Sequence, residues 1–223
     1  MTAKTRTIKL PDGSTVSALW QKPKEAKAVL VLAHGAGAGM THKHMAATAD
    51  GLEERGIATL RYNFPYMERG SKRPDNPPVA HTAIRAAVAD AANLAGDLPQ
   101  FAGGRSFGAR MTSQAQSLDP LPNVTGLVFF AFPLHAPGKP GTDRADHLKQ
   151  VKVPMFFLQG TNDEFADLDL LKPVVKSLRK RATLHLAQFA DHSFHAPAKS
   201  GRKDPEVLAD ILDAAEAWML KHV

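Results

Sequence analysis

Leu98-Pro99-Gln100-Phe101-Ala102-Gly103-Gly104-Arg105-Ser106-Phe107-Gly108-Ala109-Arg110 carries a G-x-S-x-G pentapeptide, Gly104 to Gly108, directly after the apolar run Leu98 to Gly103. The spacing predicts a strand, a sharp turn at Ser106 and a helix with Met111 and Ala115 on its inner face. A serine hydroxyl is a poor nucleophile unless it is exposed and given a base, and a strained strand-to-helix turn exposes it. Gly104 and Gly108 supply the small residues that such a crowded turn requires. The N-terminus of the following helix directs free amides and a positive dipole end toward negative charge developing on a substrate.

Outward from this stretch the chain alternates. Thr5 to Leu10 and Thr15 to Trp20 read as strands around the turn signal Pro11-Asp12-Gly13-Ser14. Ala28 to Ala33 is a continuous apolar run, as expected of a strand covered on both faces, and ends in the glycine-rich His34-Gly35-Ala36-Gly37-Ala38-Gly39. Met45, Ala49 and Leu52 mark a helix, Ile57 to Tyr62 a strand, and Asn63 to Pro78 a loop with four prolines. Ile84, Ala87, Val88, Ala91 and Leu94 mark the helix before the serine stretch. Beyond it come strands at Val124 to Ala131, Val153 to Gln159 and Thr183 to Gln188. Phe132 to Gln150 reads as an irregular connection. A helix is expected around Pro173 to Arg181, with Pro173 in its first turn. A final helix is capped by Asp204 and opened by Pro205, with Val207, Leu208, Ile211, Leu212, Ala215, Trp218 and Met219 on one face. Two antiparallel-type strands followed by strand–helix alternation predict a single α/β domain over residues 1–223. Its eight-stranded, mostly parallel sheet carries helices on both faces and no lid domain.

Composition narrows the function classes. Among 223 residues, 43% hydrophobic and 22% charged, no apolar run is long enough to span a bilayer, and no repeat stands out. Met1-Thr2-Ala3-Lys4-Thr5-Arg6 lacks the apolar core of a signal peptide. The absence of cysteine excludes disulfides, thiolate metal sites and a cysteine nucleophile, and makes the cytoplasm the default location. A net charge of +6 is spread without a basic, aromatic-interleaved stripe, so no nucleic-acid partner is expected.

Ligands of open α/β sheets bind beyond the carboxyl ends of the strands. Besides Ser106, those ends carry Asp163, after the seventh strand, and His192, after the eighth. An imidazole can take the serine proton while a carboxylate fixes its tautomer. Glu164 and Asp167 compete with Asp163 for the acid role, and His195 competes with His192, behind which Phe194 is expected to pack. The backbone amides of Phe107 and Ala36 are the expected oxyanion donors, with His34 bracing the glycine-rich loop. The histidine pairs His42/His44 and His192/His195 lack the acidic or cysteine neighbours of a metal site, so no metal and no cofactor is expected.

Six separated motifs carry a resemblance. They are His34-Gly35-Ala36-Gly37-Ala38, Arg61-Tyr62-Asn63-Phe64-Pro65-Tyr66-Met67, Gly103-Gly104-Arg105-Ser106-Phe107-Gly108-Ala109-Arg110, Pro133-Leu134-His135-Ala136-Pro137-Gly138-Lys139-Pro140, Gln159-Gly160-Thr161-Asn162-Asp163 and Asp191-His192-Ser193-Phe194. Over nearly its whole length the chain resembles the α/β-hydrolase superfamily, in its cap-less, dienelactone-hydrolase-like branch. Within that branch it is similar to the group containing the testis-expressed protein 30 and the third subunit of the non-specific lethal complex. The resemblance implies a Ser106–His192–Asp163 triad and hydrolysis of a small-molecule carboxylic ester through an acyl-enzyme. Dienelactone hydrolases proper use a cysteine, so their substrate is not implied here. The group also holds proteins that look like scaffolds, which keeps a non-catalytic binding protein as the alternative. Tyr66, Met67, Phe132 and Phe165 are expected to form an apolar pocket. Arg105 and Arg110, with Arg69 and Arg73, either meet an anionic group of the substrate or bond loop carbonyls and nearby acids.

Overall fold

The structure, a computed structural model, describes residues 3–223. Met1 and Thr2, part of the stretch expected to carry no signal peptide, lie outside the described residues. Eight strands, β1 (Lys4–Lys9), β2 (Thr15–Gln21), β3 (Ala28–Ala33), β4 (Ile57–Tyr62), β5 (Gln100–Arg105), β6 (Val124–Phe130), β7 (Met155–Gly160) and β8 (Ala182–Ala187), form one sheet in the order β1-β2-β4-β3-β5-β6-β7-β8. The β1/β2 and β2/β4 pairs are antiparallel and all others parallel.

β3 is apolar at every position because both sheet faces are covered there. In β3, Val29, Val31 and Ala33 enter one core and Ala28, Leu30 and Leu32 the other, as the two-residue period of a strand dictates. The first core is closed by α3 (Pro77–Ala95), α4 (Phe107–Leu118) and α5 (Leu168–Ser177), the second by α1 (Lys43–Glu54) and α6 (Asp204–Lys221). On α6, Val207, Ile211, Leu212, Ala215, Trp218 and Met219 recur at helical spacing on the buried face. Each such large apolar side chain, fully buried, contributes roughly 1.5–3 kcal/mol.

Several expected boundaries move, each for a local reason. The proline-rich loop is shorter than expected, because Pro65 opens the single-turn helix α2 (Pro65–Glu68) and Pro77-Pro78 open α3, where a missing amide hydrogen costs nothing. Asn76 caps α3 by accepting from the amide of Val79. Pro173 lies beyond the first turn of α5, not within it. It forfeits the bond to the carbonyl of Asp169, an exposed residue whose oxygen water can reach. Asp204 is the first residue of α6 rather than its cap, and its carboxylate turns away to His195 and the amide of Ala196. Glu206 satisfies the helix entry instead, accepting from the amide of Lys203 at 2.9 Å. The strand before the serine begins at Gln100 and runs two residues further than read, to Arg105, so Gly104 and Arg105 join Gly103 in the ladder. A side chain at Gly103 would strike the backbone of Val128 on β6. No helix among the described residues is long and apolar enough to cross a membrane.

Candidate active site

Arg105 ends β5, Phe107 begins α4, and Ser106 between them has φ 50° and ψ −111°. A non-glycine residue held there costs on the order of 1–3 kcal/mol, and the surroundings enforce it. The Ser106 amide donates to the carbonyl of Phe130 on β6 at 3.0 Å. The start of α4 presses on the end of β3 so closely that a Cβ on Gly108 would sit 2.5 Å from the carbonyl oxygen of Ala33. Only glycine fits there.

The three expected side chains meet. His192 Nε2 lies 2.8 Å from Ser106 Oγ, and His192 Nδ1 lies 2.8 and 2.9 Å from the two oxygens of Asp163. The Asp163 side chain is fully buried, and its carboxylate also accepts from the Phe165 amide at 2.8 Å and from Gln159 Nε2. An ionised carboxylate only accepts, so Nδ1 carries the hydrogen and the Nε2 lone pair faces the serine hydroxyl. Of the competitors, Glu164 is exposed and Asp167 caps α5 through the Asp169 amide. His195 pairs instead with Asp204 at 2.9 Å, largely in solvent. That partner raises the His195 pKa through its hydrogen bond and charge.

The histidine loop is tied from several sides. Asp191 accepts from the amides of Ser193 and His195, and Arg105 Nη2 donates to the carbonyl of His192 at 2.8 Å. Burial lowers the Arg105 pKa, against the pull of Asp163 and Asp191. Phe194 does not pack behind His192 as expected. It lies under the Arg105 guanidinium at 5.6 Å, and Phe165 takes its place with ring centroids 4.2 Å apart.

The glycine-rich loop stands opposite. A Cβ on Gly35 would come within 3.8 Å of Ser106 Cβ. The Phe107 amide is the first of its helix, and neither it nor the Ala36 amide has a hydrogen-bond partner among the described residues. His34 braces this loop: its Nδ1 bonds the Gly35 carbonyl at 2.8 Å and its Nε2 accepts from the Phe64 amide at 3.0 Å. Tyr66, expected in the pocket, is fully buried among His34, Phe64 and Phe107, with its hydroxyl between the Gly37 amide and the Gly35 carbonyl. Phe132 is likewise corrected to the core, against Phe129 and Phe157, because Ala131 at φ 58° turns the chain back over the sheet. Met67 remains half-buried, beside Gly39.

Sequence reasoning missed Gln159 and His135. Gln159 is a buried polar residue at a strand end, and the burial, which no sequence period reveals, is what marks it as a partner of Asp163. His135 repeats the His34 staple under the acid loop, with Nδ1 2.9 Å from the Ala136 carbonyl and Nε2 accepting from the Asp167 amide at 2.9 Å. Its signal was the Pro133 to Pro140 motif, which had no assigned role. His42 caps α1 and stacks on His44. Among the described residues, no three His, Cys, Asp or Glu stand together as metal ligands would.

Burial pushes the His34 pKa down from 6.5 to about 4. The unfolded chain therefore binds a proton at His34 that the folded chain refuses between those two values. Stability from this group is intact above pH 6.5 and falls as pH drops toward 4, by about 3 kcal/mol in all. The check is an NMR titration of the histidine ring protons alongside urea unfolding at several pH values. A His34 that titrates near 6.5 in the folded protein would remove the argument.

Residues 26–220 match the family model described as alpha/beta hydrolase domain. The chain belongs to the alpha/beta hydrolase family. Among solved structures it is similar to the dienelactone hydrolase of Anabaena variabilis, with TM-score 0.78 and 17% identity over 100% of this chain and 98% of that one. A lid-less α/β serine hydrolase from Xanthomonas campestris gives TM-score 0.75 and 20% identity, covering 98% of this chain and 95% of that one. An esterase domain from Rhodothermus marinus gives 0.75 and 16%, covering 100% and 99%. At these identities the likeness is one of fold, that of a lid-less α/β hydrolase. Family membership together with this fold supports hydrolase chemistry.

Proposed function

We propose that this α/β hydrolase cleaves carboxylic esters through an acyl-enzyme on Ser106. The observation that carries the reading is the unbroken hydrogen-bond chain from Asp163 through His192 to Ser106 Oγ, at 2.8 Å on both sides of the imidazole. In this reading Ser106 Oγ attacks the ester carbonyl carbon and His192 Nε2 takes its proton. The resulting oxyanion is held by the amides of Phe107 and Ala36, which need no reorganisation to receive it. As the tetrahedral adduct collapses, the C–O bond to the alcohol breaks and the alcohol leaves with the proton from His192. Water then attacks the acyl-enzyme, with His192 again as base, releasing the acid and restoring Ser106. Asp163 holds the imidazole in the useful tautomer and stabilises its charged form.

The alternative, a binding protein on the same fold, gives no reason for this chain to be complete or for the strain at Ser106. A fluorophosphonate probe separates the two. One adduct on Ser106 is expected in the folded protein and none after heat denaturation. Folded protein that stays unlabelled at Ser106 would sink the hydrolase reading.

A further inference from the structure

His192 follows β8, the last strand of the sheet, yet its ring meets a serine carried by β5. β6 and β7 lie between, so the loop after β8 reaches back across about 14 Å, three times the spacing of paired strands. Its path is strained. Phe189 and Phe194 hold φ 65° and 60°, in the left-handed region that residues with side chains rarely adopt. Such a loop keeps one shape only where its neighbours enforce it. Before His192, the enforcing bonds run from Phe189 and Ala190 to Thr161 and Asn162, just beyond β7. After it, Asp204 of α6 holds the His195 ring and the amide of Ala196.

Between these anchors the ring and the backbone of His192 are held separately. Asp163 fixes the ring through Nδ1, and Phe165 packs against it. The main chain of His192 has one hydrogen bond among the described residues, the 2.8 Å donation from Arg105 Nη2 to its carbonyl. The same guanidinium lies 5.6 Å from the centre of the Phe194 ring, so Arg105 grips the loop on both sides of Ser193. Its own backbone belongs to the middle of the sheet, paired with Phe130 in the β5/β6 ladder and followed directly by Ser106. Burial opposes its charge, and the carboxylates of Asp163 and Asp191 support it. A guanidinium suits this place because one planar group can donate to a carbonyl and lie over an aromatic face at once.

We propose that Arg105 is a positioning residue for His192, a tether from the nucleophile's own strand that sets the distance between the base and Ser106. The inference rests on the ester-hydrolase reading, and the experiment keeps the two apart. The tether limits small excursions of the loop in the folded protein; one hydrogen bond does not hold the loop once β8 leaves the sheet. Arg105→Met keeps most of the stem over Phe194 and removes the donors. On a neutral aryl butyrate, its kcat per mole of folded protein should fall about ten- to a hundredfold while KM changes by less than about threefold. The low-field proton resonance of the His192–Asp163 hydrogen bond should broaden or vanish with it. Arg105→Lys, which restores a donor, should return kcat to within about fivefold of the unaltered enzyme. Arg105→Gln, polar but too short to reach the carbonyl, takes the place of Arg105→Met if that variant does not fold. An unchanged kcat and low-field signal, a loss confined to KM, or a lysine no better than methionine would overturn the tether and leave the hydrolase standing. A low-field signal that depends on Arg105 in a protein that hydrolyses no ester would do the reverse.

Discussion

Replacing Ser106 by alanine is expected to lower kcat/KM on an activated aryl ester by about a hundred-thousandfold while the protein stays folded. The loss is large because the substitution removes the atom that would form the acyl bond. The amides of Phe107 and Ala36 still polarise a bound carbonyl, so a small residue of catalysis over water remains. The fold should hardly notice. The backbone of Ser106 is fixed by the Phe130 carbonyl and by the contact of Gly108 with the end of β3, not by the hydroxyl. Glycine at 106 should raise stability by about 1 kcal/mol, since it adopts φ 50° without strain. Thermal melts and ester kinetics on the two variants together test both statements. An alanine variant that keeps more than a hundredth of the activity would mean that another group attacks.

Asp163→Asn should cost about ten-thousandfold in kcat/KM. The position receives hydrogens from His192 Nδ1, the Phe165 amide and Gln159 Nε2. An asparagine has one oxygen to offer and must point its NH2 at one of these donors. The accommodating group is the imidazole, which can move its hydrogen to Nε2 and accept at Nδ1. That tautomer presents a donor to Ser106 and cannot take its proton. Nitrogen-15 spectra of the His192 ring report the tautomer directly. A loss smaller than about tenfold, with the tautomer unchanged, would show that Asp163 does not orient the base. Some stability should go as well, about 1–3 kcal/mol, if a buried donor is left unmet.

Much of this was legible in the residues because the physics that writes it is local. A central parallel strand covered on both faces is mostly apolar, so Ala28 to Ala33 and Val124 to Ala131 announce themselves, and glycines and prolines mark their ends. The three side chains that meet follow from the chain order of serine, acid and histidine after β5, β7 and β8. What stayed hidden depends on where a side chain points after an irregular loop. Phe132 and Tyr66 lie next to the expected site in sequence, but a positive φ at Ala131 and the packing of Phe64 turn their rings into the core. Phe165 likewise takes the place behind His192 that was expected of Phe194, which lies under Arg105 instead. The arginines show the limit most plainly, since Arg105 and Arg110 sit five residues apart and carry the same charge. Only their neighbours separate them: one spends its guanidinium on a carbonyl and the other has no side-chain hydrogen bond among the described residues.

The placement of β8 has a consequence for how this protein would fail. Ser106 is carried by β5 in the middle of the sheet, but His192 follows β8, which is the last strand of the order and mostly half-exposed. The proposed nucleophile is therefore anchored in the middle of the sheet and its proposed base beside an edge strand. Fraying of that margin would withdraw the imidazole while β3, β5 and β6 remain folded around an idle serine. On the proposed mechanism, activity would then act as a fuse set below the melting point, lost first under stress and recovered as the last strand closes.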